Sequence, residues 1–127
     1  MNDKDILGTI TYSKHGSVFE GTIHQLLPLQ GRLHLKHKKV AMIGDFINNY
    51  LDGPALVEYE QEDLKIYSQY KVGKKNGITV AERKGKPIFI CTHKEDIRHG
   101  WALRLYENGS QLMEYKAGEL ATVYEER

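Results

Sequence analysis

Cysteine is nearly absent from this sequence of 127 residues, which contains only Cys91. A single cysteine excludes an internal disulfide and is typical of a protein from a reducing compartment. Long apolar runs are absent as well, since no stretch approaches the roughly 18 residues needed to cross a bilayer. The first residues, MNDKDILGTITY, carry acids where a signal peptide would be basic. Together these absences predict a cytoplasmic protein.

An excess of charge of either sign is also absent, because 18 Lys and Arg residues balance 17 Asp and Glu residues at a net charge of +1. No overall field therefore favours nucleic acid or an acidic membrane as a partner. The glycines form neither GxGxxG nor GxxxxGK[ST], so no phosphate-binding loop is predicted. His34 and His37 have no further cysteine or histidine at zinc-ligand spacing, so no metal site or cofactor is predicted.

What the sequence contains instead is a β-hairpin pattern, most clearly near its C-terminal end. It predicts a strand over Trp101–Tyr106, a turn over Glu107–Ser110 and a second strand over Gln111–Lys116. The Asn-Gly pair in the turn favours a hairpin, because both residues tolerate the positive φ that a two-residue connection requires. Runs such as ITVAE, IFICT and LKIYSQY alternate and are rich in β-branched and aromatic residues, which favours strands over helices elsewhere in the chain.

The hairpin recurs along the chain, and each copy is expected to open on a glycine. These glycines are Gly8, Gly31, Gly53, Gly77 and Gly100, at spacings of 23, 22, 24 and 23 residues. A period of roughly 20 to 50 residues is typical of repeat architectures. The second strands of the first four copies are predicted over Ser17–Ile23, Val40–Phe46, Leu64–Tyr70 and Pro87–Thr92.

These copies predict an all-β fold, in which residues 1–127 form a single repeat domain. With consecutive units and short links, about ten antiparallel strands are expected to form a twisted, open β-meander of five hairpins. His24–Leu29 and Phe46–Leu51 are the helical alternatives, interpreted as a link and as a strand end with a turn. The tail, Leu120–Tyr124, is either a last strand or a short cap.

The residues of the fifth hairpin resemble those of a known repeat family. Tyr106-x-Asn108-Gly109 is followed by Glu114-Tyr115-x-x-Gly118, which looks like the MORN (membrane occupation and recognition nexus) repeat, and more closely like its bacterial variants. The same pattern is present at the junction Tyr70-Lys71-x-Gly73-Lys74-Lys75-Asn76-Gly77 and in the first unit, which has Tyr12, Gly16, Phe19, Glu20 and Gly21.

The resemblance implies an open, rod-like or curved sheet that is used for binding. In the family this binding is to proteins, to other copies of the chain or to membrane phospholipid, and no catalytic residues come with the repeat. Bacterial variants are often described as antitoxin-like. The resemblance therefore implies an antitoxin or immunity-type protein.

Basic residues cluster at predicted turns, and they form the candidate site for a phosphate-rich ligand. If the turns lie at one edge of the meander, their lysines would hold phosphoinositide headgroups, although the acidic turn Glu60–Asp63 falls between two of the clusters. The alternative is that they are solvated turn lysines. The candidate residues are Lys36, Lys38, Lys39, Lys74 and Lys75, followed by Arg83, Lys84 and Lys86.

Cys91 and His93 lie two residues apart on a predicted strand and therefore face the same side of the sheet. Such a pair acts as a nucleophile only when the cysteine has a low pKa and a third group orients the histidine. The alternative is a buried structural cysteine and a surface histidine. An enzyme that uses these two residues is the third functional hypothesis, after a protein-binding module and a membrane or self-assembly module.

Aromatic residues recur in every unit and are the candidate partner-binding residues. Tyrosine and tryptophan make good interface anchors, and the alternative is that they provide cross-strand packing within the repeat. Trp101 is the strongest candidate because it stands beside Gly100, where the other units have Thr9, Arg32, Pro54 or Ile78. The further candidates are Tyr67, Tyr70, Tyr106 and Tyr115.

The sequence therefore predicts a non-catalytic protein-binding module, with an antitoxin or immunity-type inhibitor as its specific form. The alternative is a module that binds membrane phospholipid or assembles with its own copies. Open edges at the first and last strands allow a homodimer. Nucleic acid is not expected as a partner, because the aromatic and basic residues are not interleaved in the way that base stacking requires.

Overall fold

The computed structural model describes residues 5–12 and 16–126, and within these ranges the chain forms eleven antiparallel strands in one open sheet. Each strand pairs with its neighbours in sequence, so the predicted meander is confirmed. A single turn of 3₁₀-helix covers Glu60–Glu62. The strands are β1 (Ile6–Tyr12), β2 (Ser17–His24), β3 (Leu27–Leu35), β4 (Val40–Ile47), β5 (Tyr50–Tyr59), β6 (Leu64–Lys71), β7 (Lys74–Arg83), β8 (Lys86–Lys94), β9 (Ile97–Tyr106), β10 (Gly109–Lys116) and β11 (Glu119–Glu126).

Tight turns replace most of the longer links that the sequence predicts between hairpins. The segment His24–Leu29 is neither a helix nor a link, because β2 and β3 meet through Gln25 and Leu26, both at positive φ. Asn48 and Asn49 connect β4 to β5 in the same way, as predicted for the segment Phe46–Leu51. Positive φ at both central residues matches the right-handed twist of the flanking strands. The sheet is therefore continuous, and the tail joins it as β11.

The repeating glycines lie inside strands rather than at their starts, which corrects the prediction. Strands β3, β5, β7 and β9 begin at Leu27, Tyr50, Lys74 and Ile97, before the glycine in each case. The reason is that residues assigned to links are paired with the preceding strand. The glycines themselves have positive φ, at 154° for Gly31, 95° for Gly53, 132° for Gly77 and 84° for Gly100.

Three of these glycines mark β-bulges that bend the sheet. Around Gly53, the pair Gly44↔Ala55 is followed by Phe46↔Leu51, so that β5 has more residues than β4 between the two pairs. Gly77 and Gly100 lie in equivalent breaks of register on β7 and β9. A bulge bends its strand and increases the local twist. Because a bulge recurs at each of these three glycines, the sheet is curved.

The curvature separates an inner face, which carries Phe19 and Phe46, from an outer face. These two side chains are 0% and 1% exposed, and their rings meet edge to face with centroids 5.6 Å apart. In a sheet with one layer, side chains become this buried only if the inner face curves until its own side chains cover one another. The main cluster around them continues through Ile23, Val40, Leu51, Val57 and Tyr70, and a smaller one contains Cys91, Ala102, Met113 and Tyr115.

A row of small side chains crosses the inner face from strand to strand and allows the sheet to bend tightly. Its first four members are glycines, and a Cβ on Gly44 would lie 2.8 Å from the Cβ of Ala55. The neighbours are directly opposite each other in the register. The row consists of Gly8, Gly21, Gly31, Gly44, Ala55, Ser68, Thr79, Cys91 and Ala102.

Candidate functional site

The outer face carries a continuous row of apolar side chains across seven strands, which we name the outer apolar row. Each member lies directly opposite the next, because the strands are in register and every member points away from the inner face. Within residues 5–12 and 16–126 no second layer of sheet covers them. The members are Ile43, Leu56, Tyr67, Val80, Ile90, Leu103 and Leu112.

Two exposed apolar side chains of the outer face stand beside this row. Ile78 is 66% exposed and Trp101 is 54% exposed, and they lie next to the row members Val80 and Leu103. The Trp101 ring packs against Tyr124 with centroids 5.1 Å apart. A shallow depression of about 560 Å³ lies beside Ile78, and its lining includes Pro54, Tyr67, Gln69 and Val80. The outer face therefore offers both protruding side chains and a recess.

Charged residues border the outer apolar row on its other side. Glu58 on β5, Lys65 on β6 and Glu82 on β7 lie directly opposite one another, so that charges of opposite sign alternate across the three strands. Opposite charges on neighbouring strands stabilise the pairing. An apolar strip with a charged border is the usual anatomy of a protein interface, in which a polar rim surrounds an apolar centre.

The inner face forms a groove of about 470 Å³, which we name the inner groove. Its floor is the main apolar cluster, including Val40, Leu51 and Val57, and its wall includes Tyr59 and Tyr70. Burial raises the pKa of Tyr70 to about 12, and the nearby Tyr59 and Asp96 contribute to the increase. The Tyr70 hydroxyl therefore remains a hydrogen-bond donor at neutral pH.

A chain of buried polar side chains adjoins the inner groove. The Ser68 and Thr79 hydroxyls are 2.7 Å apart, and the Thr79 hydroxyl is 2.8 Å from Nδ1 of His93. The Cys91 Sγ lies 3.6 Å from the same nitrogen. All four side chains are buried, and among the described residues no buried side-chain nitrogen or oxygen lacks a hydrogen-bond partner. These contacts hold strands β6, β7 and β8 together.

Two of these four buried side chains, Cys91 and His93, have pKa values shifted in the direction that favours their neutral forms. Burial raises the pKa of the Cys91 thiol, and the positive charges of Arg98 and Lys75 lower it by less. Burial also lowers the pKa of His93, the same two cations lower it further, and Asp96 partly opposes them. A nucleophilic cysteine requires a thiolate. Burial instead shifts the pKa of Cys91 away from the thiolate, as expected for the predicted buried cysteine. The prediction of a surface histidine is wrong, because His93 is 7% exposed.

The lowered pKa of His93 predicts a loss of stability on acidification. The unfolded chain has an ordinary histidine pKa of about 6.5, so below that pH it binds more protons than the folded protein. Stability is then complete above about pH 6.5 and decreases as the pH falls towards the folded pKa of His93. Denaturant titrations from neutral to acidic pH should show a smaller loss for His93→Gln than for the wild type.

His99→Gln is the matched control, since His99 is exposed on the next strand. This substitution keeps the buried His93, so the acid sensitivity of the wild type should remain. Equal slopes for the wild type and His93→Gln would show that the buried histidine does not cause the acid sensitivity.

The structure distributes the predicted aromatic residues between both faces of the sheet. Tyr67 and Trp101 lie on the outer face and are exposed. Tyr70 and Tyr115 lie on the inner face and are 8% and 7% exposed, with Arg98 Nη1 donating a hydrogen bond to the Tyr115 hydroxyl at 3.3 Å. Tyr106 is exposed on the inner side and donates to Gln111 at 3.4 Å. The five predicted residues therefore do not form one surface.

The predicted basic residues are distributed between opposite ends of the strands. Lys36, Lys38 and Lys39 lie at the β3–β4 turn, and the acidic β5–β6 turn is directly beside them because Glu60 N donates to Lys39 O at 3.0 Å. The next turn in line is basic again, with Lys84 N donating to Asp63 O at 3.2 Å. The remaining two residues, Lys74 and Lys75, begin β7 at the other end of the sheet.

Comparisons with known proteins add no relatives to this description. A scan of protein-family models and a search of curated proteins found no match to the chain. Among the described residues, no group of three or more histidine, cysteine, aspartate and glutamate side chains is arranged to hold a metal ion. The same residues include no helix of the length and hydropathy required to span a membrane.

The outer apolar row is the feature that the sequence analysis did not identify. Its signal is present in the repeat period, because Ile43, Tyr67, Ile90 and Leu112 follow one another at 24, 23 and 22 residues. The other three members, Leu56, Val80 and Leu103, follow at 24 and 23 residues. Superimposing the five units would have revealed an apolar residue at the same position of successive strands.

Proposed function

We propose that this protein is a non-catalytic protein-binding module whose partner docks on the outer apolar row. The observation that supports the proposal is the continuity of the row over seven strands, with Ile78 and Trp101 protruding beside it. Single exposed apolar residues are normal on protein surfaces, whereas continuous patches mark interaction sites. The specific form of the proposal, taken from the resemblance to bacterial MORN variants, is an antitoxin or immunity-type protein that covers an active surface of its partner.

Trp101 is expected to be the anchor of this interface. It has the largest side chain on the outer face, and tryptophan is enriched among residues whose truncation costs about 2 kcal/mol or more of binding energy. Its indole packs on Tyr124, which holds the ring in place before a partner arrives. Replacement by alanine leaves the inner clusters intact because Trp101 belongs to neither of them.

Affinity capture from the native lysate tests the proposal. The tagged wild type should retain one protein in stoichiometric amount, and Trp101→Ala and Ile78→Asp should each reduce its recovery by about tenfold or more, since about 1.4 kcal/mol corresponds to a factor of ten. Leu26→Asp is the matched control, because Leu26 is 87% exposed but lies in the β2–β3 turn. Equal recovery by all four proteins would contradict a partner site on the outer face.

Self-assembly is the second candidate, favoured by the open edges of the sheet. Among the described strands, β1 pairs only with β2 and β11 only with β10, so each leaves one row of backbone groups without a strand partner. Such edges can pair with another chain. Leu7 on β1 is 84% exposed, and Leu120 on β11 is 51% exposed. Light scattering across a concentration series should report a monomer if the partner is a different protein, and a dimer if the edges pair.

The membrane alternative receives less support from the arrangement of charges. A lipid surface attracts a protein through several lysines on one side, whereas the predicted basic residues lie at both ends of the sheet, and an acidic turn interrupts those at one end. Oε1 of Glu60 in that turn is 2.7 Å from His34 Nε2 and 3.8 Å from Arg32 Nη2. Protein binding at the outer face is therefore the better-supported function.

A further inference from the structure

The main apolar cluster of the fold forms the floor of the inner groove. In the part of the chain that the structure describes, no second layer of sheet covers this groove. Four of its lining residues, Val40, Leu51, Val57 and Tyr70, are less than a tenth exposed and belong to the main cluster of the fold. Leu33, Leu35 and Met42 complete the apolar lining. A volume of about 470 Å³ lies within the range of roughly 300 to 1,000 Å³ that is typical of small-molecule sites. The floor is thus suited to the apolar body of a small molecule.

The charges that line the groove leave one cation without compensation. Among the described residues, three charged side chains line it, namely Lys38 at the β3–β4 end and Lys75 and Asp96 at the opposite end. Asp96 is held beside Lys75, because its Oδ1 accepts a hydrogen bond from the backbone N–H of Lys75 at 2.7 Å. This end of the groove therefore carries one charge of each sign. Lys38 has no such neighbour among the residues that line the groove.

The acidic residue nearest in the fold to the Lys38 turn is already engaged elsewhere. Glu60 belongs to the adjoining turn, but its Oε1 is 2.7 Å from His34 Nε2 and 3.8 Å from Arg32 Nη2. Within residues 5–12 and 16–124, no ion pair involves Lys38. A second recess of about 350 Å³, lined by Ser17, Leu35, His37 and Lys38, adjoins the groove at this end. Lys38 thus stands where two recesses meet.

From this arrangement we propose that the inner groove binds a small apolar molecule with one carboxylate group, which pairs with Lys38. The apolar chain occupies the groove over Val40, Met42 and Val57, and the carboxylate remains at the β3–β4 end, where Lys38 is exposed and water and the ammonium group both solvate it. This arrangement avoids the cost of burying an unpaired charge. The site is independent of the outer apolar row, since the two lie on opposite faces of the sheet.

Calorimetric titration with dodecanoate, below the concentration at which it forms micelles, tests the site. The wild type should bind one equivalent, and Lys38→Gln should weaken the affinity by about two- to fivefold, because Lys38 is exposed and an exposed ion pair contributes little in water. Lys39→Gln is the matched control, since Lys39 is in the same turn but does not line the groove. Circular dichroism should show the same spectrum for both variants as for the wild type, which checks that they keep the fold.

Three results of these titrations would overturn the proposal. The first is no binding of dodecanoate to the wild type, and the second is equal affinity in Lys38→Gln. The third is equal binding of dodecyltrimethylammonium, which has the same chain with a positive headgroup. Vesicles of phosphatidylcholine and phosphatidylserine form a separate arm. Capture by these vesicles that depends on Lys38, without binding of free dodecanoate, would assign the lysine to a membrane surface instead.

Discussion

Replacing Gly31 with alanine is expected to lower the free energy of unfolding by about 3 kcal/mol, because two costs coincide at this position. Gly31 has a φ of 154°, which side chains rarely adopt. A Cβ built there would overlap the carbonyl oxygen of Glu20 and lie 2.8 Å from Gly21 Cα and 3.0 Å from the ring of Phe19. The first two contacts are with backbone on the neighbouring strand, so no side chain can move aside. Urea denaturation of the variant measures the loss.

Gly53→Ala separates the clash from the backbone strain. Gly53 also has positive φ, at 95°, but a Cβ there would have no atom within 4 Å. Its substitution should therefore cost only the strain, about 1 kcal/mol. If the free energy of unfolding falls equally in the two variants, the close approach of β2 and β3 at Gly21 and Gly31 is not a determinant of the fold.

Truncating Phe19 to alanine is expected to cost about 3 to 5 kcal/mol, which is the usual range for a fully buried phenylalanine. Phe19 is 0% exposed, packs its ring against Phe46 and covers Gly31 on the opposite strand. Since a single-layer sheet has no second layer to supply replacement contacts, the cavity would open towards solvent and the inner cluster would lose its centre. The expected measurement is a large decrease in the midpoint of thermal unfolding.

Tyr67→Ala is the control for this prediction, because Tyr67 lies on the outer face and is 39% exposed. Its substitution should destabilise the protein much less than that of Phe19. Comparable losses for the two variants would mean that the two faces contribute equally to folding, which contradicts the assignment of the core to the inner face.

The overall architecture could be predicted because hairpin signals are local. The alternation within each strand and the Asn-Gly pair at 108–109 indicate antiparallel pairs, and the period of about 23 residues indicates their repetition. The predicted turn over Glu107–Ser110 is wrong in its extent, because only Glu107 and Asn108 form the turn and Gly109 begins β10 opposite Tyr106. Neither Asn108 nor Gly109 has positive φ. Turns at the opposite end of the strands could not be predicted where their residues carry no such signal. Gln25-Leu26 and Glu95-Asp96 adopt positive φ at both positions, although neither pair contains the glycine or asparagine that usually favours it.

The assignment of residues from different strands to one face could not be predicted, because it depends on bulges. A change of one residue in register moves a side chain to the opposite face, and bulges at Gly53, Gly77 and Gly100 lie between the parts of the sheet that carry the candidate aromatics. Alternation within one strand is predictable, and it places Tyr67 and Tyr70, three residues apart on β6, on opposite faces. Which of the two faces is buried, and which residues of other strands share it, is not given by the sequence.

The polar chain around His93 depends on the same geometry. Cys91 and His93 are close in sequence, and their shared face could be predicted. Thr79 and Ser68 come from two other strands and meet the histidine only through the register of β6, β7 and β8. Burial of this chain is what raises the pKa of Cys91 and lowers that of His93. Sequence spacing predicts neither the burial of Cys91 and His93 nor the presence of Thr79 and Ser68 beside them.

Photo-crosslinking in the native host from two positions tests the central claim most directly. A photoreactive phenylalanine analogue would replace Ile78, which is 66% exposed on the outer face, or Tyr50, which is 54% exposed beside the inner groove. Both positions are exposed, so neither variant is expected to disturb the core. Docking on the outer apolar row predicts a crosslink to one defined protein from position 78 and none to that protein from position 50. A crosslink from position 50 alone, or no protein crosslinked from position 78, would contradict the proposed site.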